Sequence, residues 1–147
     1  MPTFRDVISI DRSPEEVFDL IADGRNEPRW NPDNTAMALT TSEPIGVGAR
    51  FEGAAKMMGQ TKDIAYEITE FDRPHRIGFL VSKTPLPGTV VGSQTFDPSG
   101  DGATRMEWVW DVRLRGAGKL MTPMVRLMVP GRMRRQLQAV KALLERG

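Results

Sequence analysis

Met106, Trp108, Trp110, Val112 and Leu114 stand at every second position of one segment, with Arg105, Glu107, Asp111 and Arg113 between them. Only Val109 interrupts the polar set. Successive side chains of an extended backbone point to opposite faces, so this spacing predicts a strand over Thr104 to Arg115 with one wet face and one heavily apolar face. An apolar sheet face has to be covered by another element. What the rest of the chain can offer as a cover therefore decides the fold.

Upstream, the same period of two recurs in short pieces. Strands are predicted over Thr3 to Asp11, Thr35 to Ser42, Ala49 to Met58, Thr61 to Asp72, Arg76 to Ser82 and Thr89 to Asp97. Turns separate them: Pro44 with Gly46, Gly59-Gln60, Arg73-Pro74-His75, the Pro85 to Gly88 loop, and Pro98 to Gly102. Short turns between consecutive strands imply antiparallel pairing. Two interruptions are helical. Ser13-Pro14-Glu15-Glu16 has a capping serine, a proline suited to the first turn and acids suited to the positive end of the helix dipole. Val17, Phe18, Leu20 and Ile21 give that helix its apolar face. Arg25 to Asn34, broken by Pro28 and Pro32, is expected as a short helix or turn carrying Trp30.

The only long helical periodicity is at the end of the chain, over Lys119 to Arg146. Leu120, Met124 and Leu127 or Met128 are expected to open its apolar stripe, and Met133, Leu137, Val140 and Leu144 to continue it. Pro130-Gly131 is expected to kink or break it. This helix is the one cover available for the sheet. The expected architecture is α+β: a helix-grip fold, with a curved antiparallel sheet of about six or seven strands around a long C-terminal helix, and one or two short helices after strand 1. The 147 residues, 39% hydrophobic and 27% charged, suit one domain over the whole chain, 1–147.

The order of elements, and several local pieces, resemble the START/Bet v 1-like superfamily (SRPBCC), in particular its polyketide cyclase/dehydrase-like branch. Ile10-Asp11-Arg12-Ser13-Pro14-Glu15-Glu16-Val17-Phe18 is similar to the opening strand and Pro-initiated helix of that family. Arg29-Trp30-Asn31-Pro32 is similar to its tryptophan before the second strand, and Tyr66 to Ile77 to its central hairpin. Gly102 to Trp108 and Leu137 to Glu145 are similar to its penultimate element and helix end. The resemblance spans essentially the whole chain. It implies a deep cavity between sheet and helix for lipids, polyketides, hormones or other apolar molecules. Relatives include carriers, cyclases, dehydratases and chaperone-activating domains.

Candidate site residues follow from which faces point inward. Trp108 and Trp110 share a face and line the expected cavity or pack under the helix. Trp30 either lids the cavity or plugs the end of the sheet. Phe79 and Met106 lie on inner strand faces. Met124 and Met128 lie on the cover helix, part of a supply of nine methionines suited to an adaptable pocket. Tyr66, the only tyrosine, is expected to face inward with Ile64 and Ile68, and is the one catalytic candidate. Of the polar residues around it, either Ser93 with Thr95 or Gln94 with Phe96 points inward. No acid is assigned to the inner face, since Glu52 and Asp63 would need another register. His75, the only histidine, falls in a turn and is expected to be exposed. Arg126, Arg132, Arg134, Arg135 and Lys141 give the helix a basic face, either solvated or attractive to an acidic partner or anionic lipid heads.

Three functions fit. Leading is binding of a small hydrophobic, lipid- or polyketide-like ligand between sheet and helix, without catalysis. Second is a cyclase or dehydratase, which needs a positioned acid or base. Third is an interaction module resembling the chaperone-activating relatives. No cofactor is called for. Metal ligation is not expected, because the chain has no cysteine and no histidine cluster. A net charge of +1 gives no bulk attraction to nucleic acid. Without a signal peptide or a run of about 18 apolar residues, the expected location is cytoplasmic and no segment is expected to span a membrane. Monomer and homodimer are both open.

Overall fold

A computed structural model of the chain describes residues 2–57 and 59–146. Seven strands form one antiparallel sheet: β1 (Thr3–Ile10), β2 (Asn34–Leu39), β3 (Arg50–Met57), β4 (Gln60–Asp72), β5 (Arg76–Lys83), β6 (Gly88–Ser99) and β7 (Ala103–Leu114). Their order across the sheet is β1-β7-β6-β5-β4-β3-β2. Six strands thus follow the chain as a meander, and β1 closes onto the far side of β7. Between β1 and β2 come α1 (Pro14–Ala22), a single 3₁₀ turn at Gly24–Asn26 and α2 (Glu27–Trp30). A second 3₁₀ turn, Gly116–Met121, leads directly into α3 (Thr122–Arg146). The sheet curves around α3, the helix-grip arrangement. No helix among the described residues is long and apolar enough to cross a membrane.

Local chemistry explains the boundaries. Ser13 caps α1 by accepting from the Glu16 amide at 3.3 Å, which satisfies one of the unpaired amides of the first turn, and its hydroxyl donates to the Glu16 carboxylate at 3.2 Å. The β6–β7 hairpin turns on Gly100 and Gly102, both at positive φ, a conformation a side chain disfavours. Both partner strands extend towards this turn, so Pro98 pairs with Thr104 instead of lying in the expected loop. Met58, expected at the end of the third strand, lies outside the described residues.

In β7, Thr104, Met106, Trp108, Val112 and Leu114 are buried, while Arg105 and Arg113 are exposed. The alternation works as its spacing demanded. Pairing of Gln94 with Trp108 and of Phe96 with Met106 settles β6: Gln94 and Phe96 are buried with the inner face. In β4–β5 the register slips between Ala65 and Tyr66 and again between Ile68 and Glu70. These bulges bend the sheet in the middle of its concave face.

Two expectations about the cover helix are corrected. The helix runs unbroken through Pro130. Pro130 is exposed, so the carbonyl deprived of its partner can face water, while Val129 and Met133 hold the helix to the core on its other side. The buried stripe is Val125, Val129, Met133, Leu137 and Val140, whereas Leu120, Met124 and Leu127 are exposed. Both rows fit a helical period. Only the first stays in phase, at steps of three and four, with Leu137 and Val140, and that continuity decides which side is buried.

Candidate functional site

Under α3 the concave face does not close up. A cavity of about 220 Å³ remains, walled by β3 to β7, α1, α2 and one side of α3. Its buried lining includes Ile21, Trp30, Ala65, Ile68, Ile77, Trp108 and Val129. Its half-exposed lining includes Phe79, Pro85, Leu86, Val90, Met128 and Arg132 on the side of the β5–β6 loop and α3, and Asp33, Met57 and Ile64 on the side of β2 to β4.

Three tryptophans from two elements form one wall. Trp30 meets Trp108 edge-on, with ring centroids 5.6 Å apart, and Trp108 stacks on Trp110 at 5.8 Å. Trp30 reaches the cavity because α2 is only one turn long and ends at this residue, turning its ring inward. Tyr66 stacks on Phe51 at 5.1 Å and lines the cavity from β4. Its hydroxyl approaches Gly24 so closely that a Cβ there would collide with it and with the Phe51 ring. Burial pushes the Tyr66 phenol well above its ordinary value, with the Glu27 and Asp23 carboxylates adding to the effect. It is a neutral hydroxyl at any physiological pH.

Of the residues expected in the site, the structure brings Trp30, Tyr66, Phe79, Trp108, Trp110 and Met128 together around the cavity. Met106 and Met124 are elsewhere. Met106 is fully buried, paired with Phe96 and Ile8 at the end of β7 that α1 covers, where Phe18 packs edge-on against Phe96 at 5.4 Å. This end is filled, so the inner face of β7 serves as core at Met106 and as cavity wall from Trp108 onward. Met124 lies on the outward row of α3. His75 is exposed in its turn, and Glu52 and Asp63 are exposed as well.

The site also contains an acid that the sequence did not reveal. Glu27, the first residue of α2, lines the cavity with Asn34, and its Oε2 is buried without a partner among the described residues. Burial pushes its carboxyl up to about 8, against the smaller opposing effect of the Asn34 side chain. At neutral pH the protonated form of Glu27 is therefore favoured. Its local signal is slight: Glu27 and Trp30 are three residues apart on one turn and so share a face. The indole Nε1 of Trp30, the indole Nε1 of Trp108 and the guanidinium Nε of Arg132 are likewise buried without partners among the described residues. All three belong to cavity-lining residues, and all three are donors.

The basic face of α3 is largely tied to the fold. Arg132 pairs with Asp33 at 2.6 Å. Arg134 donates to the Val7 carbonyl at 3.2 Å and pairs with Asp6, and Lys141 donates to the Ser9 carbonyl at 2.8 Å. The contacts of Arg134 and Lys141 clamp the helix to β1, and that of Arg132 ties it to the segment before β2.

With this geometry in place, comparison with known proteins is informative. The model of the family described as polyketide cyclase / dehydrase and lipid transport matches residues 1–145. The chain belongs to this family. A search of curated protein sequences returns no match. Among solved structures, a START superfamily protein from Mycobacterium smegmatis superposes with a TM-score of 0.83 at 14% identity, covering 98% of this chain and 97% of that one. The Zhui aromatase/cyclase from Streptomyces sp. R1128 also gives 0.83, at 16% identity, covering 99% and 94%. The di-domain ARO/CYC BexL from the BE-7585A biosynthetic pathway gives 0.81 at 21% identity; the match covers 99% of this chain and 47% of BexL. At these identities the likeness establishes the helix-grip fold shared with START proteins.

Proposed function

We propose that the chain binds a compact apolar molecule carrying at least one acceptor oxygen, held between the sheet and α3. One observation carries this reading: an open, mainly apolar cavity whose buried unpaired polar atoms include three donors and a carboxyl held neutral by burial. Leaving a buried donor unmatched costs about 1–3 kcal/mol, so a ligand oxygen that reaches one is strongly oriented. At about 220 Å³ the cavity is smaller than the roughly 300–1,000 Å³ typical of drug-sized sites, which favours a molecule of one or two rings over a long acyl chain. Titration calorimetry with 2-naphthol and with naphthalene tests it, since the pair differs only in the oxygen. Saturable binding with 2-naphthol the tighter is expected. Equal affinity for the two, or no saturable binding of either, would contradict it.

A second reading, a cyclase or dehydratase, is favoured by Glu27. A carboxyl kept neutral at pH 7 inside an apolar site can donate a proton to a carbonyl or to a departing hydroxyl. Under this reading a poly-β-ketone probe is recovered cyclised or dehydrated after incubation with the chain, and Glu27→Gln abolishes the conversion. Under the binding reading the probe is recovered unchanged.

A further inference from the structure

Leu120 and Leu127 are 84% and 86% exposed and Met124 is 38% exposed, three of the four large apolar side chains set in water among the described residues; the fourth, Val47, stands alone before β3. They are four and three residues apart, so they form one row about 10 Å long on the solvent side of the 3₁₀ turn and α3. Val125, Val129 and Met133 anchor the same helix to the core from its other side. From Val112 to Leu144 the chain contains no acidic residue. Arg132, Arg134 and Lys141 of that stretch are engaged by Asp33 and β1, but Arg115, Lys119 and Arg126 stand exposed beside the apolar row. The row also neighbours the half-exposed cavity lining at Pro85 and Leu86. Gly118 packs so tightly on Pro87 that a Cβ there would collide with it, and the Arg115 amide donates to the Pro87 carbonyl at 2.9 Å. That ties the turn carrying Leu120 to the loop carrying Pro85 and Leu86.

We propose that this face docks on a membrane surface rich in anionic lipid headgroups, with Leu120, Met124 and Leu127 entering the interface and Arg115, Lys119 and Arg126 meeting the phosphates. The charge selects the occupant. A second copy of the chain, paired symmetrically through this face, would set its cations against their equivalents. A projecting apolar row with cations beside it, on a helix lying flat, is the arrangement that rests in a bilayer interface. Docking brings the Pro85–Leu86 edge of the cavity towards the membrane.

The test is co-sedimentation of the full chain with vesicles of phosphatidylcholine alone and of phosphatidylcholine mixed with phosphatidylglycerol. Binding to the mixed vesicles, weakened by salt, is expected. Leu120→Ser with Leu127→Ser should lower it about tenfold, and Lys119→Glu with Arg126→Glu should lower it by about fivefold or more per charge. All four positions are exposed, so thermal melting of both variants should match the parent. Absence of sedimentation with mixed vesicles, or equal binding by parent and variants, overturns the proposal. So does retention on poly-glutamate beads without vesicle binding, which would assign the face to an acidic protein. So does a dimer in velocity sedimentation that the leucine variant abolishes. The vesicles contain no cavity ligand, so failure here leaves the 2-naphthol titration untouched.

Discussion

Replacing Glu27 with glutamine removes an ionisable group from the cavity while keeping its shape, and the consequence depends on pH in a way that can be calculated. In the unfolded chain the carboxyl releases its proton near 4.5; in the fold, burial holds it until about 8. Between these values the native state carries a proton that the unfolded state has lost. Stability therefore falls as pH rises through that window, by about 1.4 kcal/mol per unit. From 4.5 to 7 the cumulative loss is about 3 kcal/mol, a large fraction of the roughly 5–15 kcal/mol that hold a domain of this size together. Below 4.5 both states are protonated and the residue contributes nothing; above 8 the loss is complete. Glutamine carries no charge in either state, so the variant escapes the decline. Urea denaturation followed by tryptophan fluorescence, at half-unit steps from pH 4.5 to 8.5, measures it. The stability of Glu27→Gln relative to the parent should rise steadily across the window, whatever constant offset the amide introduces. All other titrating groups are shared and cancel in the difference. Two parallel pH profiles would refute a buried neutral carboxyl, and with it the acid role in the second functional reading.

Other substitutions separate packing from the site. Trp108 is 1% exposed and packed against both other tryptophans, so Trp108→Ala should cost about 3–5 kcal/mol in chemical denaturation as well as weakening 2-naphthol. The half-buried Trp110 is the sharper probe: Trp110→Ala should weaken 2-naphthol about tenfold in calorimetry at a smaller loss of stability. Gly24→Ala drives a methyl into the Tyr66 hydroxyl and the Phe51 ring, and should lower stability by about 1–3 kcal/mol in urea titration while shifting the tyrosine ring resonances seen by NMR. Ser13→Ala removes the cap of α1 far from the cavity; it should cost about 1 kcal/mol and leave 2-naphthol affinity unchanged.

What was legible in the sequence follows from how many residues carried each signal. The sheet rested on seven alternating segments and their turns, each constraining the next, so strand positions emerged within a few residues. The β7 pattern needed no context, because five apolar side chains at period two admit one face. The phase of α3 was harder. Its first half is apolar on two sides, and Leu120-Met124-Leu127 competes with Val125-Val129 until the row is followed as far as Leu137 and Val140. Gln94 was ambiguous because β6 has small or polar residues on both faces; its pairing with Trp108 resolves it, and that is a contact between strands. Met106 and Trp108 share a face yet differ in role, because α1 fills one end of the sheet and leaves the other open. Glu27 was hidden for a different reason. A lone acid beside a proline defaults to the surface, and only the packing of α2 against β2 and α3 turns it inward.

If the space under α3 is a ligand site, filling it from within abolishes binding. Ala65 is buried in its floor on β4, so Ala65→Leu fills that space without touching the outer surface. Native mass spectrometry of the chain with equimolar 2-naphthol compares the two forms directly. A one-to-one adduct is expected with the parent chain and is lost in Ala65→Leu. An adduct of equal abundance in both forms, or none in either, would contradict it.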